Sequence, residues 1–149
     1  MMNFKTLFFT SCIAVSVFAC NQKSTTETTT TEADTTKVEN KGIGDVISVD
    51  VDTAINEQMA ERGKAIFDKS CASCHKLTDE KLVGPGFKGV TQRRKPEWIM
   101  NMITNTTQML QNDPDAKELL EKAKVHMPQH PLAVPDARDI LEFLRKNDQ

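Results

Sequence analysis

The sequence predicts a small all-α domain of about four helices, carried behind an N-terminal stretch that stays outside the fold. Three observations point there. From Thr53 onward the apolar residues recur at helical rather than strand spacing. Pro96, Pro114 and Pro135 stand where helices would begin. The one alternating stretch, Gly42 to Asp52, is only weakly strand-like.

Taken in order, the chain of 149 residues leaves room for one domain once its N-terminus is discounted. Lys5 supplies a short positive start, and Leu7 to Phe18 form an apolar run interrupted by Thr10, Ser11, Cys12 and Ser16. That run is too short to span a bilayer and reads as a secretory signal over residues 1–19. Val17-Phe18-Ala19-Cys20 resembles a bacterial lipobox, with Phe18 where a smaller residue is usual. The resemblance implies that Cys20 is acylated and anchors the exported protein on the periplasmic side of a bacterial membrane. The alternative is a plain cut near Ala19 that leaves Cys20 an ordinary thiol.

Residues 20–53 read as a flexible tether and an extended arm. Thr, Ser and Glu dominate up to about residue 41, too few apolar groups to offset the entropy of ordering. Such a chain ranges about 5–6 Å times the square root of its length. Gly42 to Asp52 then forms an extended arm lying on the domain. In the domain proper, residues 54–149, Asp52 or Thr53 is expected to cap a first helix running to about Lys69, with Ile55, Met59, Gly63, Ile66 and Phe67 along one side. Gly84-Pro85-Gly86 marks a loop. A second helix from Pro96 turns Trp98, Ile99, Met102, Ile103 and Met109 or Leu110 inward. Asp113-Pro114 is a cap followed by proline and opens a third helix, to about Lys124. A last helix from Pro135 carries Ile140, Leu141, Phe143 and Leu144.

Charge is uneven along the chain. Residues 61–100 hold nine Lys/Arg against five Asp/Glu, whereas residues 20–60 hold three against eight. Lys64, Lys69, Lys76, Lys81 and Lys88 are placed to form a cationic rim that steers an acidic partner, although solvated helix faces explain most such residues. An exported chain of net charge −2 is no candidate for binding nucleic acid.

Of the four cysteines, Cys12 leaves with the signal and Cys20 is the acylation candidate. Only Cys71 and Cys74 remain in the domain, within Cys71-Ala72-Ser73-Cys74-His75. This is the attachment signature of c-type haem: each thiol adds across a haem vinyl group, and His75 is placed under the iron. A bare Cys-x-x-Cys also occurs in thioredoxin-like redox pairs and in zinc sites. The first needs a βαβ setting for which there is no strand pattern, and the second needs four ligands in a tetrahedron that His75 is too close to complete.

Residues 56–146 resemble the class I monohaem c-type cytochromes. Gly63 and Phe67 match the family's glycine and aromatic on the N-terminal helix, which crosses a C-terminal helix corresponding to Ile140-Leu141-Glu142-Phe143-Leu144. Gly84-Pro85-Gly86-Phe87-Lys88-Gly89 is similar to the family's Gly-Pro-x-Leu-x-Gly loop, with Phe87 where Leu is usual. The resemblance implies one covalent haem c wrapped by the helices, with the Pro85 carbonyl accepting from His75 Nδ1. It also places Trp98 near a haem propionate, a residue that reads equally as a core tryptophan. The family's distal methionine corresponds to Met127, followed by Pro128. His126, His130 and an open site are the alternatives, and Met59, Met100, Met102 and Met109 lie at helical spacing expected of core filler. In an extended segment His126 would face away if Met127 faced the iron.

With both axial positions filled, no site is free for a substrate, and a non-enzymatic electron carrier is expected. The resemblance implies redox partners, a donor complex and a terminal oxidase or reductase. Gly89-Val90-Thr91 with Arg93-Arg94, and Trp98 to Ile103, look like small cytochromes that accompany respiratory reductases such as nitrous oxide reductase. A haem enzyme or gas-binding cytochrome with an open distal face is the alternative.

Overall fold

A computed structural model describes residues 39–149. The expected signal segment, Cys20 and the expected tether up to residue 38 lie outside the described residues. Within them the chain is helical and has no strand: α1 Glu57–Ser70, α2 Val90–Arg93, α3 Pro96–Thr104, α4 Thr106–Asn112, α5 Pro114–Ala123 and α6 Val134–Asn147.

The first helix starts later than Asp52 or Thr53. Its cap is Asn56, whose side chain accepts from Met59 N–H at 3.1 Å. The Asn56 N–H in turn donates to the Glu142 carboxylate at 2.9 Å, which ties the start of α1 to α6. The two helices cross at Gly63, where an ideal Cβ would stand 2.0 Å from the Asp139 carbonyl oxygen. Any side chain there would force the backbones apart. Phe67, one turn on, is 2% exposed and lies against Phe143 with ring centroids 5.4 Å apart.

The expected second helix is two. It breaks at Asn105, whose φ of −136° and ψ of 43° are not helical. The run Thr104-Asn105-Thr106-Thr107 offers side chains that compete for backbone groups: Thr104 Oγ1 donates to Met100 O and Thr106 Oγ1 to Met102 O, while Asn105 Nδ2 reaches Ile43 O. Beyond the break, Asp113 caps α5, accepting from Ala116 N–H at 2.9 Å ahead of Pro114. The turn at Val90–Arg93 was not legible as a helix, because Asp148 at the far end of the chain receives Gly89 N–H, Thr91 N–H and the Thr91 hydroxyl.

The arm lies on the domain, but not as a strand. Asn101 on α3, 1% exposed, accepts from Val46 N–H and donates to the carbonyls of Val46 and Lys41. One side-chain amide thus supplies the bonds a neighbouring strand would give. Val46 is buried beneath it among Trp98, Met109 and the other core residues.

Candidate functional site

The end of α1 builds one wall of the site. Cys71 N–H bonds back to Phe67 O at 2.8 Å, and the N–H groups of Cys74 and His75 both bond to Cys71 O. The chain therefore makes one more helical turn after α1, which brings Cys71, Cys74 and His75 to one side. Cys71 is buried and Cys74 half-buried, and neither is in a disulfide.

The Gly84-Pro85-Gly86 loop is laced onto this turn. Val83 and Gly84 N–H groups bond to Cys74 O, and Phe87 N–H to Lys76 O. Pro85 O is thereby brought to 2.8 Å from His75 Nδ1, which must be the donor because a carbonyl only accepts. Gly84 is needed here: a Cβ would stand 2.3 Å from His75 Cε1. Phe87 stacks on the other side of the imidazole, ring centroids 4.4 Å and planes 16° apart. Nothing in the sequence alone announced that contact.

Cys71, Cys74, His75, Pro85, Trp98 and Met127 all line one large cavity, whose walls are otherwise mainly apolar side chains of α3, α5 and α6. Met127 is half-buried in a non-helical segment between Lys124, in the left-handed region at φ 61°, and α6. Gln129 braces that segment, donating to Thr104 O at 2.8 Å and accepting from Thr107 N–H at 3.2 Å. His126 and His130 line the cavity as well, as does Met102. His126 is nonetheless exposed, whereas Met127 and His130 are half-buried. Met102 packs against the core, as its helical spacing marked it, and also lines the cavity, whereas Met100 and Met109 are fully core residues, 2% and 0% exposed.

Trp98 is both a cavity and a core residue. It is 4% exposed, donates its indole N–H to Asp113 Oδ1 at 3.1 Å, and carries the Arg94 guanidinium over its ring at 4.5 Å. Arg94 is itself paired with Asp115. Of the lysines expected to form a cationic rim, Lys64 pairs with Asp68, Lys76 with Glu80, and Lys81 donates to Lys122 O. Two of the five are thus paired with a carboxylate four residues on, which holds little free energy at the surface.

The donor set fits a covalently held haem. With Nδ1–H given to Pro85, the His75 lone pair is at Nε2, the state an iron ligand requires. Burial lowers the His75 pKa; the Pro85 hydrogen bond works against this and nearby His130 with it. Burial and the neighbouring Cys74 push the Cys71 thiol up to about 11. That is the opposite of the low-pKa thiolate on which disulfide exchange depends. Among the described residues no group of three or more His, Cys, Asp or Glu side chains is arranged to hold a metal ion, so a zinc site has no ligand set.

Comparison with known proteins agrees. The cytochrome c family model matches residues 60–148. A cytochrome c-553-like protein of Synechocystis is 36% identical over 64 residues, 42% of this chain and 61% of its own length. The chain thus matches about three fifths of that relative. The solved cytochrome c of Rhodothermus marinus is 36% identical, with a TM-score of 0.68 over 70% of this chain and 90% of its own. An engineered form of it, bound to a carbene intermediate, is 35% identical at a TM-score of 0.65 with the same coverage. A cytochrome c domain from Pseudomonas putida is 28% identical at 0.50, over 56% of this chain and 85% of its own. Single motif, helical fold and these likenesses together place the chain in the cytochrome c family, as a class I monohaem cytochrome with covalently bound haem c.

Proposed function

We propose that the protein is a one-electron carrier whose iron is held between His75 and Met127. The observation that carries this reading is that an imidazole with its Nδ1 committed and a half-buried thioether line the same cavity. When bound, haem supplies an Fe(II)/Fe(III) couple, and a thioether ligand raises its potential relative to two histidines. The chain's part is to hold both ligands, to keep water from the apolar cavity, and to leave no position for a substrate. Carbon monoxide added to the reduced full-length protein should leave its visible spectrum unchanged. Ready binding would favour the second reading, a haem enzyme or gas-binding cytochrome with an open distal face. The carbene-bound engineered relative gives that reading its support.

The carrier works, in this reading, at the outer surface of a bacterial membrane, tethered through acylated Cys20. The apolar run over residues 7–18 and the cysteine directly after it support this. It passes electrons from a respiratory donor complex to a terminal oxidase or reductase, nitrous oxide reductase being the acceptor its sequence suggests. Cys20→Ala should release the protein from membranes into the soluble periplasmic fraction. A variant that stayed membrane-bound would place the anchor elsewhere.

A further inference from the structure

The imidazole of His75 is bounded on three sides. Its Nδ1–H is bonded to Pro85, Gly84 closes on its Cε1 edge, and the Phe87 ring covers its face. Phe87 is firmly seated. Its N–H donates to Lys76 O at 2.9 Å, and its ring meets Phe67 at 5.9 Å with planes 61° apart. Phe67 rests in turn on Phe143, so the ring against His75 is anchored to the crossing of α1 and α6.

We propose that Phe87 positions His75 and tunes it: its ring face fixes the imidazole plane and favours the oxidised protein, lowering the reduction potential below that of a leucine at the same place. The proposal rests on His75 being the iron ligand. Oxidation removes one electron from the iron, which passes to the redox partner, and no bond or proton changes place. The imidazole shares the added positive charge. A nearly parallel, close aromatic face attracts such charge through its quadrupole, and an aliphatic side chain of similar bulk does not. Leucine would therefore keep the packing and the dryness of the site but lose this selective interaction with the oxidised state.

The test is an equilibrium redox titration of the full-length holoprotein beside three variants: Phe87→Leu, Phe87→Tyr, and pentafluorophenylalanine introduced at position 87. The fluorinated ring keeps nearly the same outline and reverses the quadrupole. The leucine protein should shift the one-electron equilibrium toward the reduced form by about threefold, roughly 30 mV at 59 mV per tenfold, and the fluorinated protein should shift it further in the same direction. The tyrosine protein should match the wild type. A shift in the leucine protein alone would assign the effect to packing and overturn the tuning. Equal potentials in all four would overturn it as well. Proton NMR of the oxidised protein with labelled histidine rings separates this from the underlying reading. Without a hyperfine-shifted His75 signal the ligation fails, and the proposal with it; with that signal present, unchanged potentials overturn the proposal alone.

Discussion

The indole N–H of Trp98 donates to the carboxylate of Asp113 at 3.1 Å, and both residues are buried. The same carboxylate caps α5 through Ala116 N–H and accepts from Asn40 Nδ2 at 2.8 Å, so one group joins a cavity wall, a helix start and the residues just before the arm. Asp113→Ala removes a cap, worth about 1 kcal/mol. It also leaves a buried indole donor unpaired, costing about 1–3 kcal/mol. A loss of about 2–4 kcal/mol is expected in urea unfolding of the holoprotein, and Asp113→Asn, which keeps one acceptor, should lose less. A change below about 0.5 kcal/mol, the range of an ordinary surface substitution, would show the network to be dispensable.

At the crossing of α1 and α6, Gly63→Ala adds one carbon where the opposing atoms are backbone and cannot rotate away. Overpacking of this kind costs about 1–3 kcal/mol. Thermal unfolding should show a lower Tm, and haem attachment should fall during expression if the helices must meet before the thiols react. A variant as stable as the wild type would mean the crossing has slack.

Glu142 gives the protein a pH dependence. Burial raises its pKa, but Asn56 N–H, Arg138 and Arg145 outweigh this and hold the carboxyl below its usual 4.5. A folded-state value below the unfolded one contributes stability that is complete above about pH 4.5 and is lost as pH falls toward the folded value. Glu142→Gln should therefore be less stable at pH 7 and show a shallower loss below pH 4.5. Parallel acid limbs for the two proteins would assign the acid sensitivity to other carboxyls.

Gln129 ties the segment carrying Met127 to the junction of α3 and α4 through both faces of its amide. Gln129→Ala should leave the covalent haem in place but loosen the distal side. The measurement is the rate at which imidazole or cyanide adds to the oxidised protein, expected to rise about tenfold, equivalent to a cost of about 1.4 kcal/mol. An unchanged rate would show that the prolines alone hold the segment.

The legible features were those written in local spacing. Cys71-x-x-Cys74-His75 needs only one helical turn to bring three groups together, and Asp113-Pro114 carries its own cap. The rest depended on partners far along the chain. Asn56 rather than Asp52 or Thr53 opens α1 with its own side-chain cap, and its N–H is held in addition by Glu142, 86 residues away. The arm's alternation read as weakly strand-like, yet its backbone groups are satisfied by Asn101, a pairing that no periodicity reports. Phe87 stood out only as an unusual residue in its loop; its stacking on His75 follows from the loop being laced to Lys76 and Cys74.

The central claim is that Met127 completes the iron's coordination opposite to substrate chemistry, making a carrier. It is tested most directly by the weak far-red absorption band of the oxidised holoprotein that reports an iron–thioether bond, recorded for the wild type, Met127→Ala and Met102→Ala. The band should be present in the wild type and in Met102→Ala and absent from Met127→Ala, with carbon monoxide binding gained only in the last. A wild-type protein without the band, or one that keeps it when Met127 is replaced, would contradict the account.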